Sequence, residues 1–299
     1  MQADQINHNR EILLKHLLMI EKGSAQILDA FKPLSFYIND KPTEMLSILY
    51  EPSLCIILQG EKEVGIGNNL IRYDANQFLL ASMHTPAKVR IANASKEQPY
   101  IGFTLNFSIE QIFDVIKEME PREAVSQSSD NGLYFGKLEN HLLEPIVRLF
   151  NTLESPEQIK VLAPLYMKEI LYYLLQGESG CFIRQYLKEG HSAQKVLEAI
   201  SLIKNRFSQN LNIKQLAENV GLSESSLYAS FKKITTMSPL QFQKTLRLQE
   251  ARNMIQFQSF SVTETAYKVG YESPSQFSRE YSRMYGLSPK ADAMKMAQA

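Results

Sequence analysis

The stretches NIKQLAENVGLS (residues 212–223) and SVTETAYKVGYES (residues 261–273) are two copies of one pattern, and they decide the fold of the last third of the chain. An alanine and a glycine of the first copy, Ala217 and Gly221, recur 49 residues further on. The residues that follow recur with an offset of 50, because the second copy has one extra residue in its turn. A repeat of this length indicates a duplicated supersecondary unit.

Local chemistry predicts what the unit is. Asn212 can cap a first helix, Gly221 suits the left-handed residue that ends it, and Ser223 can cap a second helix. In that second helix Leu227 and Phe231 lie one turn apart and face inward. A single copy could be any helical hairpin, but two copies at matched spacing favour a pair of helix-turn-helix units.

The segment PLQFQKTLRLQEARNMI (239–255) resembles the linker helix of AraC/XylS-type transcription regulators, and VGYESPSQFSREY (269–281) resembles their second helix-turn-helix signature. The resemblance implies an all-α DNA-binding domain over residues 191–299, whose two recognition helices enter successive major grooves of promoter DNA. It places the two helix-turn-helix units at about 212–233 and 261–283, and the linker helix at about 239–257.

The first part of the chain predicts a small antiparallel barrel or jelly roll, because short apolar runs alternate there with Asn, Gly and Asp turns. The runs are 54–60, 63–67, 70–73, 77–82, 88–92 and 100–107. EPSLCIILQGEK (51–62) with YDANQF (73–78) resembles the cupin-like N-terminal domain of one subgroup of these regulators. We therefore expect an α+β multidomain chain, with a cupin-like sensor barrel and flanking helices over residues 1–130.

Between the two domains, residues 131–190 show two amphipathic helical stripes, one through Leu142, Ile146 and Leu149. These helices could pack on the barrel or form the seam of a homodimer, and the sequence favours the homodimer because regulators that it resembles often dimerise near this region.

Charge is distributed unevenly along the chain. The chain as a whole has 32 basic and 32 acidic residues, yet residues 190–299 contain 14 Lys and Arg against 8 Asp and Glu. A basic C-terminal part indicates a nucleic-acid partner at that end. The two cysteines, Cys55 and Cys181, lack metal-ligand spacing, and no apolar run approaches the length of a membrane span. These features predict a cytoplasmic protein that does not associate with membranes.

Side chains near the start of each predicted recognition helix are the candidates for base contacts. They are Ser225, Ser226 and Tyr228 in the first helix and Ser275, Gln276 and Arg279 in the second. Ala229 stands where the family often has a long polar residue, so we expect the second helix to carry more of the specificity. The phosphate candidates are Lys232, Lys233, Arg247 and Arg283. For Arg247 an internal role, anchoring the linker helix, is an equal alternative.

The resemblance implies a small-molecule effector inside the barrel, with Ile57, Gln59 and His84 as candidate contacts. Strand alternation leaves open whether Cys55, Ile57 and Gln59 or the residues between them face inward. We expect no metal or other cofactor, since His84 is the barrel's one histidine and a metal site needs at least three ligands.

The prediction is therefore a regulator, with RNA polymerase as a further partner if it activates transcription, and no catalytic residues. Two alternatives remain: a barrel that serves only dimerisation or a protein partner, and a cupin enzyme fused to a DNA-binding domain.

Overall fold

The computed structural model describes residues 2–23, 31–66, 69–82, 85–120, 132–187, 190–235, 237–257 and 260–297. The chain divides into two compact units. One comprises Met1–Met45, Tyr50–His84 and Lys88–Leu187, and the other comprises Leu46–Leu49, Thr85–Ala87 and Lys188–Ala299. Antiparallel sheets with helices followed by an all-helical region confirm the predicted α+β class.

The strands form two antiparallel sheets. Their order is β1-β8-β3-β6-β9 in the larger sheet and β2-β7-β4-β5 in the smaller. The strands are β1 (Leu34–Asn39), β2 (Leu46–Tyr50), β3 (Ser53–Gln59), β4 (Glu61–Ile66), β5 (Asn69–Asp74), β6 (Gln77–Ala81), β7 (Thr85–Asn93), β8 (Tyr100–Asn106) and β9 (Leu133–Lys137).

All six apolar runs identified in the sequence are strands, β3 to β8. The sequence reading missed β1, β2 and β9, and each of these three lies at the edge of its sheet. An edge strand is paired on one side only, and its burial is correspondingly less regular: the residues of β1 are mostly half-buried, whereas β3 is buried almost throughout. All five central strands were identified, whereas β5 was the one edge strand of four that its apolar run revealed.

Helices cover one face of the larger sheet. They are α1 (Gln2–Gly23), α2 (Ile109–Glu118), α3 (Asn140–Asn151), α4 (Pro156–Val161), α5 (Ala163–Gln176) and α6 (Glu178–Leu187). Leu54, Ile56 and Leu58 of β3 share one buried cluster with residues of α1, α3 and α5. Because side chains alternate along a strand, Cys55 and Ile57 lie on the opposite face, toward the smaller sheet. The structure thus resolves the alternation that the sequence left open.

The second unit contains the helices α7 (Gly190–Asn205), α8 (Ile213–Asn219), α9 (Glu224–Thr235), α10 (Pro239–Phe257), α11 (Val262–Lys268), α12 (Pro274–Tyr285) and α13 (Pro289–Ala297). The pairs α8–α9 and α11–α12 occupy the two repeated stretches, and α10 occupies the stretch that resembles the linker helix. With 19 residues, α10 is about 28 Å long. Within the described part of the chain, the structure contains no helix that is both long enough and apolar enough to span a membrane.

Candidate functional site

The first helix pair is built by local hydrogen bonds, as its sequence predicts. The side chain of Asn212 accepts a hydrogen bond from the backbone N–H of Gln215 at 3.1 Å, which caps α8. Gly221 has a φ of 64°, the left-handed conformation expected of it after that helix. The hydroxyl of Ser223 accepts from the backbone N–H of Ser226 at 3.2 Å and caps α9. The turn between α8 and α9 is therefore specified by residues close in sequence.

The second pair repeats this construction more completely. Ser261 and Glu264 form a reciprocal capping box at the start of α11. Gly270 has a φ of 90°, and Ser273 caps α12 through the backbone N–H of Gln276 at 3.3 Å. Pro274 occupies the first turn of α12, where a missing N–H carries no cost. Both second helices therefore begin at a fixed, capped N-terminus.

Both second helices bury one face and expose the other. Leu227 and Phe231 of α9 and the equivalent Phe277 and Tyr281 of α12 are completely buried. On the opposite faces the predicted base-contact residues Ser225, Ser226, Ser275, Gln276 and Arg279 are exposed, and Tyr228 is half-buried. The phosphate candidates Lys232, Lys233 and Arg283 are also exposed. Each helix thus presents polar side chains on a face that a DNA groove could occupy.

Arg247 is placed differently from the other phosphate candidates. Its guanidinium donates from Nε to the carbonyl of Phe207 at 2.6 Å, from Nη1 to that of Gly270 at 2.9 Å and from Nη2 to that of Gln209 at 2.8 Å. It also lies 5.9 Å from the ring centroid of Tyr271. Burial lowers the pKa of Arg247. Three of the five N–H donors of the guanidinium are thus held by backbone carbonyls, which favours the anchoring alternative over a phosphate contact.

Neighbouring side chains of α10 reinforce this anchor. One turn before Arg247, the amide of Gln243 donates to the carbonyls of Phe207 at 3.0 Å and Gln209 at 2.7 Å. Lys244 pairs with Glu280 of α12 at 3.0 Å, and Glu280 also accepts from the hydroxyl of Tyr271 at 2.8 Å. The linker helix therefore holds the second helix-turn-helix unit through specific polar contacts. Sequence reasoning considered only Arg247 among them, because the others look like ordinary surface residues.

Between the two sheets lies a second group of chemically distinctive side chains. Cys55 accepts a hydrogen bond from the hydroxyl of Thr104 at 3.5 Å on the neighbouring strand β8. Burial raises the pKa of the Cys55 thiol, and the nearby ammonium of Lys62 acts in the opposite direction. Tyr50, Tyr73 and Tyr100 are all buried here. Apart from Cys55, the sequence reading did not consider these residues, because tyrosine and lysine follow no motif at this spacing.

The three predicted effector contacts lie in different surroundings or outside the described residues. Ile57 is fully buried and lies on the face of β3 toward the smaller sheet. Gln59 follows a shift in strand register, and its amide donates to the carbonyl of Pro99 at 2.7 Å. That amide group therefore has a structural role. His84 lies outside the described residues. Among the residues that the structure does describe, no group of three or more His, Cys, Asp and Glu side chains could hold a metal ion.

Comparison with known families gives two matches. Residues 30–181 match the model of the AraC-type transcriptional regulator N-terminus. Residues 216–293, which contain both helix-turn-helix pairs, match a helix-turn-helix domain model. The first match alone covers half of the chain.

Among characterised proteins, the chain is similar to the HTH-type transcriptional activator RhaS. It is 28% identical to RhaS of Pectobacterium carotovorum over 138 residues, which are 46% of this chain and 47% of that protein. It is 25% identical to RhaS of Escherichia coli O1:K1 over 157 residues, or 52% of this chain and 55% of that one. The similarity thus spans about half the length of these relatives.

Among solved structures, the fold is similar to that of ToxT from Vibrio cholerae. An apo variant of ToxT superimposes with a TM-score of 0.59 at 14% identity, covering 88% of this chain and 98% of ToxT. ToxT with a bound unsaturated fatty acid gives a TM-score of 0.56 at 13% identity, and the superposition covers 89% of this chain and 97% of that ToxT chain. At these identities the likeness concerns the fold.

Proposed function

The chain belongs to the AraC-type transcriptional regulators, and on this premise we propose that it binds specific DNA sequences through α9 and α12 and responds to a small-molecule effector. The observation that carries the proposal is the pair of capped helices with exposed polar faces, joined by one rigid linker helix. Its relatives and its fold are those of transcription regulators and not of enzymes, which argues against a cupin enzyme fused to a DNA-binding domain.

The second recognition helix is the better equipped for reading bases. Arg279 is exposed on α12, and an arginine can bond a guanine through two parallel hydrogen bonds. Gln276 makes only a long hydrogen bond of 3.4 Å to Glu280, which an adenine could displace. In α9 the corresponding surface offers Ser225, Ser226 and the half-buried Tyr228. We therefore assign most of the sequence discrimination to α12.

Exposed cations beside these helices supply affinity without specificity. Lys232 and Lys233 lie in the last turn of α9, and Arg283 lies in the last turn of α12. Contacts from such residues to phosphates fix the position of the protein on the duplex and depend strongly on salt. We leave Arg247 out of this group because its guanidinium bonds three backbone carbonyls, which favours the anchoring role.

The remaining assignments follow the domain division proposed from the sequence. Residues 191–299 would form the DNA-binding domain, residues 1–130 the sensor and residues 131–190 a homodimer contact. ToxT, which shares the fold, has been crystallised with a bound unsaturated fatty acid, and this supports the proposal that the present chain binds a small-molecule effector. RhaS is a transcriptional activator, which supports RNA polymerase as a partner. The alternative is a two-sheet region that serves only dimerisation or a protein partner.

The experiment that tests the proposal selects bound sequences from a random DNA pool with the full chain. We expect an enriched site with two elements about 34 Å, or one helical turn, apart. Binding that depends on salt but enriches no motif would contradict a sequence-specific regulator. Repeating the selection with extracted metabolites tests the effector, because a genuine sensor changes its DNA affinity when its ligand is present.

Two variants then separate base contacts from phosphate contacts. Arg279→Ala should relax the preference at one base pair, with a loss of about 1–3 kcal/mol of discrimination. Lys233→Ala removes a long cationic side chain from the other recognition helix and should weaken all sequences alike. If both variants lose the same affinity on matched and mismatched sites, the assignment of Arg279 to a base is wrong.

A further inference from the structure

The side chain of a lysine lies between the two sheets. In β4, Lys62 is opposite Tyr73 of β5 and Ile91 of β7, and both of these residues are buried. The next residue, Glu63, points the other way, where it pairs with Arg72 and Arg90 at 2.6 Å. Because strand side chains alternate, the Lys62 side chain is directed toward the larger sheet.

Two tyrosine rings lie near this ammonium group. The Nζ atom of Lys62 lies 5.7 Å from the ring centroid of Tyr50 and 6.0 Å from that of Tyr37. These distances are at the outer limit of a cation–π contact, which offsets only part of the cost of removing an ammonium from water. The two rings therefore compensate only part of the positive charge of the Lys62 ammonium group.

The protein itself provides little to balance the charge. In the described part of the chain, Lys62 forms no ion pair, and its principal electrostatic neighbour is the Cys55 thiol. Burial raises the pKa of that thiol, so it stays protonated and uncharged near neutral pH. The carboxylates beside Lys62 in sequence, Glu61 and Glu63, are paired with Arg72 instead. A lysine in this position lacks a counter-charge.

A second polar group nearby also lacks a partner. The hydroxyl of Tyr50 is buried, and no hydrogen-bond partner for it exists among the described residues. A buried hydroxyl without a partner is uncommon in folded proteins and costs stability. The unpaired Tyr50 hydroxyl and the uncompensated Lys62 ammonium are both hydrogen-bond donors, and one acceptor could satisfy them together.

Two side chains of this region remain partly accessible to solvent. Burial raises the pKa of Tyr37, although 49% of this residue remains accessible to solvent. Burial likewise lowers the pKa of Lys62, whose side chain is only half-buried. Both residues therefore contact protein on one side and solvent on another. We call this region the Lys62 recess, and it is lined by Tyr37, Tyr50, Cys55, Lys62 and Thr104.

We propose that the Lys62 recess binds a small organic anion, whose carboxylate or phosphate accepts hydrogen bonds from Lys62 and Tyr50. The anion supplies the missing negative charge, and the tyrosine rings contact the body of the molecule. Two tyrosines, a threonine and a lysine favour a compact polar ligand over a long hydrocarbon chain. This inference rests on the proposed sensor function and specifies the chemical class of its effector.

The experiment measures the melting temperature of the full chain with matched pairs of compounds. Each pair contains an anion and a neutral analogue: phenylacetate and phenylacetamide, lactate and lactamide, glycerol phosphate and glycerol. We expect at least one anion to stabilise the protein while its neutral analogue does not, since ligand binding to the folded state raises its stability. The carboxylate and phosphate pairs distinguish the two kinds of anionic group.

Three variants locate the binding site. Lys62→Met should raise the half-saturating concentration of the active anion about 10- to 100-fold, as expected for loss of a charged hydrogen bond. Tyr50→Phe should have a smaller effect in the same direction. Lys88→Met is the matched control, because Lys88 is exposed on β7 of the same sheet, and it should leave binding unchanged. Lys62→Met should melt no lower than the unmodified protein, since it removes an uncompensated charge.

The outcomes separate this inference from the sensor function. Equal stabilisation by an anion and its neutral analogue, or an unchanged response of Lys62→Met, would overturn the anion site and leave a sensor for neutral ligands. If no pair differs, the anion site is likewise overturned. The sensor proposal is judged independently, by whether metabolites change the DNA affinity of the unmodified protein.

Discussion

Replacing Arg247 with methionine tests how the linker helix holds the second helix-turn-helix unit. The substitution keeps most of the aliphatic packing and removes all three hydrogen bonds, to the carbonyls of Phe207, Gln209 and Gly270. Gln243 still bonds the first two carbonyls, so Gly270 loses the most. Hydrogen bonds from a charged donor contribute about 1.5–3 kcal/mol each, but Arg247 is partly exposed and shares its acceptors.

We therefore expect Arg247→Met to destabilise the second unit by about 2–4 kcal/mol. For a domain of about 100 residues, this lowers the melting temperature by at least about 8 °C. The measurement is thermal unfolding followed by circular dichroism, since the chain has no tryptophan for fluorescence. DNA affinity should fall through misplacement of α12, without a change in the salt dependence of binding.

The matched control is Arg283→Met, which removes the same group from an exposed position on α12. It should change stability by less than about 0.5 kcal/mol, as surface substitutions usually do. It should instead reduce the slope of log affinity against log salt by about one, as loss of one phosphate contact requires. If Arg247→Met gives this second result and leaves the melting temperature unchanged, Arg247 is a phosphate ligand and the anchoring role is refuted.

Two further substitutions test backbone and electrostatic features. Gly270→Ala should lower the free energy of unfolding by at least about 2 kcal/mol, because the positive φ disfavours a side chain and an added Cβ would lie 2.0 Å from the carbonyl oxygen of Ser208. Gly286→Ala is the control, since Gly286 has a similar φ but open space around it, and it should lower the free energy of unfolding by only about 1 kcal/mol. Chemical denaturation that gives equal losses would show that the clash is relieved by movement. Hydrogen bonds from Arg90 and Arg72 lower the pKa of Glu63, so its contribution to stability is present above the ordinary value of 4.5 and is lost as pH falls through the lower, folded pKa. Glu63→Gln should therefore reduce the loss of stability in acid, and an unchanged pH profile would contradict the role of this pair.

Features that depend on residues close in sequence could be predicted from the sequence. The caps at Asn212, Ser261 and Ser273 and the left-handed turns at Gly221 and Gly270 each involve groups within three or four residues of one another. The repeat of this chemistry predicted both helix-turn-helix pairs. The central strands β3 and β8 were recognisable for a related reason, since burial on both faces requires a continuous apolar run.

Features that depend on contacts between distant segments required the tertiary structure. The edge strands β1, β2 and β9 were not identified from the sequence, and their positions depend on pairing with strands that are distant in the chain. Whether Cys55 and Ile57 or their neighbours face the smaller sheet depends on where the helices pack, which alternation alone does not specify.

The sequence by itself determined the family pattern, the position of the recognition helices and the residues that they expose. Only the structure shows that Arg247 bonds three backbone carbonyls, because these acceptors lie 23 to 40 residues away along the chain. It alone also brought Lys62 together with Tyr37 and Tyr50. The physical reason is the same in both cases: a charged side chain takes its role from the groups that surround it, and those groups come from segments that only the folded chain brings into contact.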